Sequence, residues 1–384
     1  MIRVQVPPEL LIWACKRAGL DVDSLSQKGS FRKLPDWISG EARPTLKQLE
    51  VFAKATHAPF GYFFLQEPPK ESVPIPDLRT VGNQYIGHPS PDLLDTIYIC
   101  QQRQEWYRDF ARTMGNVPLP FVGSDTVKSD VIQVAENIRQ SLGFSVEQRR
   151  NMSTWTDALR HFIGQADSFG IMVMVSGIVG SNTRRPLDPQ EFRGFALSDP
   201  LAPLVFINGK DTKAAQMFTL AHELAHIWLG ESALSDVTPT TMPSRAVEAW
   251  CNKVAAELLV PIADLLQAYK SKNDLRMEMD RLARRFKVST LVILRRLHDA
   301  AKLSRDEYWN IYDDELERLR AIAASKGKGG DFYLSLPARV SKRFARAIVI
   351  STLEGQTLHR DAFRLLGFRQ LATFHELGHQ LGVA

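Results

Sequence analysis

The chain has 384 residues, enough for two or three domains, each with its own core. With 44% hydrophobic and 24% charged residues it reads as soluble and globular rather than disordered, and no run approaches 18 consecutive apolar residues, which argues against a membrane span. A net charge of +5 permits nucleic-acid binding without demanding it. Three scattered cysteines (Cys15, Cys100, Cys251) with no C-x-x-C argue against a disulfide framework, and the opening MIRVQVPPELL lacks the layout of a secretory signal, so a reducing cytoplasm is expected.

In chain order, ELLIWACKRAG (9–19) has apolar residues at helical spacing and ends on Gly19, a plausible C-cap. A short helix is expected near 22–28, and another at 45–55, where Thr45 follows Pro44 as N-cap and Leu46, Leu49, Phe52 and Ala53 share a face. PPKESVPIPDLRT (68–80) reads as an extended linker. Residues 91–115 and 125–166 read as mainly helical. GIMVMVSGIVG (170–180), FRGFALSD (192–199) and PLVFING (203–209) read as strands with turn residues between them. Asp211 is placed to cap a helix carrying TLAHELAHIWL, which should stop at Gly230. A second strong helix spans 244–261, from Ser244 as N-cap to Pro261. Helices at 262–270, 274–300 and 304–323 follow, then a hinge, SKGKGG (325–330), and a basic last segment.

The motif H-E-x-x-H occurs twice, as His222-Glu223-Leu224-Ala225-His226 and as His375-Glu376-Leu377-Gly378-His379. Two histidines at i and i+4 share one helix face and can hold one ion, and the Glu after the first can take a proton from water at that ion. Composition alone predicts roughly 0.01 copies. A catalytic zinc needs a third protein ligand. The central copy has Glu248 on the following helix, and Asn252 one turn on can orient an imidazole. The terminal copy has five residues after His379 and glycines at 378 and 382 that weaken its helix, so it reads as coincidence.

FTLAHELAHIWLG followed by E-x-x-x-N-x-x-A-A-E-L-L-V-P resembles the ImmA/IrrE family of zinc-dependent metallopeptidases. EFRGFALSD, APLVFINGKD and FARAIVISTLEGQTLHRDAFRLLGF are similar to its longer members, which carry an N-terminal Xre-type helix-turn-helix. The resemblance implies His222, His226 and Glu248 as Zn2+ ligands and Glu223 as general base. It implies a fold class of α+β, mostly helical: a helix-turn-helix domain, then a zincin-like metallopeptidase domain with a small sheet and a helical C-terminal region. The expected divisions are 1–67 (helix-turn-helix), 68–90 (linker), 91–270 (peptidase), 271–324 (helical, helix-turn-helix-like) and 325–384 (basic tail).

The resemblance also implies a protein substrate: a helix-turn-helix repressor or a toxin–antitoxin partner, in a mobile-element or stress-response circuit. DNA is a second expected partner, through a recognition helix near 30–39 with Arg32, Lys33, Trp37 and Ser39 facing a groove, although Pro35 distorts all but the first turn of such a helix. LARRFKVSTLVILRRL (282–297) has similar character around Lys287-Val288-Ser289, with a solvated helical face as the alternative. The rival to an enzyme is a DNA-binding regulator or antitoxin whose peptidase-like domain is an interaction module. A general degradative protease fits poorly with a chain that shows no signal peptide or pro-segment. PLVFING can offer an edge to an extended substrate or be a core strand. Tyr269 and His298 suit an oxyanion donor by residue type alone. Zinc rests on the resemblance, since His/His/Glu ligation also accepts manganese, iron or cobalt.

Overall fold

The computed structural model describes residues 2–76, 80–81, 84–85, 89–235, 246–324 and 332–383. Two compact units divide the chain, Met1–Pro74 with Gly87–Asp95, and Ile75–Ile86 with Thr96–Ala384.

The first unit is a small helical cluster: α1 (Pro8–Arg17), α2 (Val22–Ser26), a 3-10 turn at Gly29–Phe31, α3 (Leu34–Ser39), α4 (Leu46–Ala55) and a second 3-10 turn at Phe60–Phe64. Thr45 starts α4 with a capping box: its hydroxyl accepts from Gln48 N (3.3 Å), while Gln48 Oε1 accepts from Thr45 N (2.9 Å). Phe52 is the hub of the core, with Phe31, Trp37 and Phe63 set edge-on to it at 5.6–6.5 Å. This corrects the expected recognition helix. Residues 30–39 split into a 3-10 turn and the six-residue α3, because Pro35 has no N–H to donate and is tolerated only in a first turn. Arg32, Lys33 and Ser39 are exposed, but Trp37 is 3% exposed and packs inward, so it faces no groove. Of the 68–90 linker, residues 68–74 group with this unit, where the Glu71 carboxylate takes a bidentate pair from Arg17. Residues 77–79, 82–83 and 86–88 lie outside the described residues.

The second unit opens with a short antiparallel pair, β1 (Thr80–Val81) and β2 (Gln84–Tyr85). Next come α5 (Pro91–Thr113), whose first residues belong to the first unit, then α6 (Val131–Ser141), α7 (Val146–Arg150) and α8 (Trp155–Phe169). A four-stranded mixed sheet has the order β3 (Met172–Ser176), β5 (Leu204–Asn208), β4 (Gly194–Leu197), β6 (Ala233–Ser235). β3 and β5 are parallel, and β4 runs antiparallel to both β5 and β6. The three strands expected from sequence are present. β6 carries only three residues, too few for an alternating pattern to register. PLVFING forms β5, paired on both sides, so it offers no free edge to a substrate. Its five residues are all buried, as befits a strand covered on both faces.

Helix α9 (Lys213–Leu229) packs on this sheet and against α10 (Ala246–Leu259). Its N-cap is Thr212, one residue later than expected, with the hydroxyl accepting from Ala215 N, while Asp211 Oδ1 accepts from Thr212 N. Gly230 ends the helix in the left-handed region, φ 72°. The chain at 123–125 then covers that end: Gly123 N donates to the Ile227 carbonyl, which Gly230 N also reaches, and Asp125 N donates to the Trp228 carbonyl. Residues 236–245, with the proposed cap Ser244, lie outside the described residues.

Four helices follow: α11 (Ile262–Ala268), α12 (Leu275–Phe286), α13 (Thr290–Asp299) and α14 (Arg305–Ala324). A left-handed Lys287 (φ 56°, ψ 39°) and the cap Ser289 break 274–300 into α12 and α13. The division expected at 270/271 falls inside a single core, since Leu282, Phe286, Val292 and Ile293 share it with Leu224 and Val254. Arg296 is buried in an ion pair with Glu257 and donates to the Val260 carbonyl (2.9 Å), so it is a packing residue rather than a reader of DNA.

The hinge 325–330 lies outside the described residues; beyond it α15 (Phe332–Val340), α16 (Lys342–Leu353), α17 (His359–Leu366) and α18 (Leu371–Gln380) complete the unit. The Asp167 carboxylate at the end of α8 holds the start of α16, accepting from Ser341 Oγ (2.6 Å) and Arg343 N (2.8 Å). Burial raises the Asp167 pKa, and these hydrogen bonds oppose the rise. Replacing Asp167 with Ala leaves two buried donors unmet; urea unfolding is expected to register a loss of about 2 kcal/mol, and an unchanged midpoint would refute the anchor.

Candidate metal centre

Burial on several sides explains why α9 reads as apolar nearly all round its circumference: Gln216 to Trp228 are all buried, His222, Glu223 and His226 among them. Imidazoles and a carboxylate at zero exposure need partners of their own. For the histidines α10 supplies one. His226 Nε2 lies 3.1 Å from His222 Nε2 and 3.1 Å from Glu248 Oε1, and His222 Nε2 lies 3.3 Å from Glu248 Oε2. Among the described residues these three form the one group of His, Cys, Asp and Glu able to hold a metal ion.

The donor set fits a small divalent cation. Ligand atoms arranged tetrahedrally at zinc's ~2.0–2.1 Å lie about 3.3–3.4 Å apart; here the two ring nitrogens are 3.1 Å apart and each lies 3.1–3.3 Å from one of the two Glu248 oxygens. The far ring nitrogen of His222, Nδ1, meets Asn252 Oδ1 at 3.0 Å. An amide oxygen accepts only, so Nδ1 carries the proton and Nε2 presents a bare lone pair to the centre. Burial lowers the His226 pKa, with Glu248 opposing and His222 reinforcing the fall, so the ring stays neutral. Burial pushes the Glu248 carboxyl up; positive charge and N–H donation from the facing His222 and His226 rings, when either is protonated, outweigh it and hold it well below the carboxylate range, a place an ion at the centre would take. Neutral imidazole and ionised carboxylate are the forms that bind metal. Cys251, also buried on α10, has its thiol raised well above 9.0 by burial, then by Glu248 and Glu223, and so stays protonated.

Glu223 follows His222 by one residue and turns toward the sheet. Gly194 of β4 faces it: a Cβ there would stand 2.5 Å from Thr219 Cγ2, 2.8 Å from the Phe206 carbonyl and 3.4 Å from Glu223 Cγ. The bare glycine lets α9 settle onto β4 at the turn that carries Glu223. Neither Gly194 nor Thr219 is singled out in the sequence; the available signal is a glycine inside a strand pattern, which marks close approach of another element.

The structure thus brings His222, His226, Glu248 and Asn252 together, with Glu223 on the same helix. Arg32, Lys33, Trp37 and Ser39 belong to the first unit. The second motif does not assemble. On α18, His375, Glu376 and His379 are exposed while Leu377 and Gly378 point inward, and Glu376 Oε1 accepts from Gln380 Nε2. His298 Nδ1 faces the Leu303 carbonyl at 3.1 Å and its ring stacks by Tyr308, a packing role; Tyr269 caps α11 through its backbone N–H.

A family model described as the IrrE N-terminal-like domain (Peptidase_M78), a metal-dependent peptidase family, matches residues 166–298. That span carries His222, Glu223, His226, Glu248 and Asn252. A second, described as a domain of unknown function (DUF8813), matches residues 340–380, the helices after Asp167's anchor. Neither match reaches the first unit's 1–74 segment. No curated protein and no solved structure matches the chain.

Asn252→Ala is expected to weaken zinc affinity by about 10- to 100-fold in a chelator competition, since the His222 tautomer is no longer held; His375→Ala should leave affinity unchanged. Gly194→Ala should cost about 1–3 kcal/mol in urea unfolding, with Thr219→Ser in the same chain recovering part of it. Stability equal to the parent would mean that β4 and α9 do not meet so closely.

Proposed function

We propose that the chain is a zinc-dependent endopeptidase. The observation that carries this reading is the convergence of His222, His226 and Glu248 within 3.3 Å, inside the span that matches a peptidase family. His222 and His226 from α9 and Glu248 from α10 would hold the ion, and Asn252 orients His222. A zinc ion there supplies Lewis acidity, lowering the pKa of water and polarising a scissile carbonyl. Glu223, beside the ligands on α9, takes the proton from the attacking water and returns it to the leaving amine. Gly194 keeps the sheet close enough to fix the turn on which Glu223 stands.

The proposed substrate is a regulatory protein, a helix-turn-helix repressor or a toxin–antitoxin partner, and this rests on the family resemblance alone. The rival, a DNA-binding regulator using its peptidase-like domain for interaction, has the inward Trp37 and the six-residue α3 against it.

Purified protein is expected to hold one zinc per chain, lost on His222→Ala and retained on Glu223→Gln. Against a panel of helix-turn-helix regulators, with products read by mass spectrometry, Glu223→Gln should cleave at least ~100-fold more slowly. Cleavage unaffected by that substitution would remove Glu223 from its role, and a metal-free parent would overturn the reading as a whole.

A further inference from the structure

A small cavity lies on the face of the sheet away from α9, lined by Thr96, Cys100 and Arg103 of α5, Ser176 and Phe206 of the sheet, and Arg339 of α15. Among the described residues two guanidiniums border it and no carboxylate does; Arg339 Nη1 also lies 3.5 Å from Ser181 Oγ. Arg103 is 4% exposed and its bonds are to neutral atoms: Nε donates to the Leu365 carbonyl (2.9 Å) and Nη1 lies 3.5 Å from Met174 Sδ. A buried cation met only by neutral groups is costly, and a counter-charge relieves that cost. Among the described lining residues the candidate is the Cys100 thiol. Burial, only partly offset by Arg103, pushes its pKa up to about 12, so it stays neutral. Arg103 itself is lowered first by burial, and the charge of Arg339 adds to that. The enclosed volume, ≈ 10 Å³, is about what one water or one small ion needs.

We propose that this pocket binds a small monovalent anion, chloride, between Arg103 and Arg339. Guanidinium N–H groups can surround a halide. Size excludes bulkier anions, acetate among them. The bound anion braces the tail: Arg103 on α5 already holds the Leu365 carbonyl of α17, Arg339 stands one residue before the end of α15, and Ser176 and Phe206 belong to the sheet whose opposite face carries α9. The anion therefore ties the segment 340–380 to the sheet and raises the stability of the unit without touching the metal ligands.

The test is thermal unfolding of the full chain at constant pH, ionic strength and metal load, with gluconate replaced stepwise by chloride or by acetate. The parent is expected to gain about 2 °C or more by 200 mM chloride and nothing from acetate, and both Arg103→Met and Arg339→Gln should lose most of that gain. An equal Tm in gluconate and chloride, a gain in acetate as large as that in chloride, or variants that respond as the parent does, overturns the proposal. Should Arg103→Met fail to fold, the half-buried Arg339→Gln decides the matter.

Discussion

Two imidazoles and a carboxylate, all buried, with each ring nitrogen within 3.3 Å of the other and of a Glu248 oxygen, are the constraint around which the second unit is built. Lone pairs repel, and burial removes the water that would otherwise satisfy them. The rigidity of the two helices that carry the donors holds the arrangement, and a cation at its centre would relieve the repulsion. α9 owes its position to contacts on every side: β4 at Gly194, α10 at Glu248 and Asn252, and the chain at 123–125 over its last carbonyls. Gly230 and Gly123 come so close that a Cβ on Gly230 would stand 2.9 Å from Gly123 Cα, which fixes where the helix can end.

The same economy governs the rest of the unit. The chain spends many of its arginines inside or in pairs, and this limits what its +5 charge can mean. Arg149 is buried against the Phe286 and Leu258 carbonyls and over the Phe144 ring, with burial lowering its pKa to about 9. Arg296 closes α13 onto α10, and Arg281 and Arg318 pair with the buried Glu278 and Glu315 on their own helices. Cations committed to carbonyls and carboxylates of the fold do not form a basic face for nucleic acid. Formal charge counts residues; the field a partner meets depends on which of them reach the surface.

The two copies of H-E-x-x-H make the same point about motifs. Both lie on helices, and both place their histidines on one face. The central copy faces a neighbouring helix that brings Glu248 and Asn252, whereas the terminal copy turns Phe374 and Leu377 inward and leaves His375 and His379 in solvent. An ion-binding pattern becomes a site when a second element closes on it, and only α9 has such an element.

Much of this was legible in the residues. The three strands, the helix over Lys213–Leu229 and its stop at Gly230 follow from period, β-branching and the need for a left-handed residue at a helix end. The spacing of His222, Glu223 and His226 decides by itself that they share a helix, because side-chain direction repeats every 3.6 residues. Tertiary structure decided the rest. It buried Trp37, a large apolar ring that local pattern could equally assign to a groove; it put PLVFING inside the sheet, since strand order depends on pairings distant in sequence; and it joined residues beyond 270 to the core that carries the candidate metal centre. It also set Glu248 and Asn252 against His222, across an interval that local periodicity does not span, and brought Arg103 and Arg339 to one cavity from positions 236 residues apart in sequence. Local interactions choose the elements, and only long-range packing decides which of their faces meet.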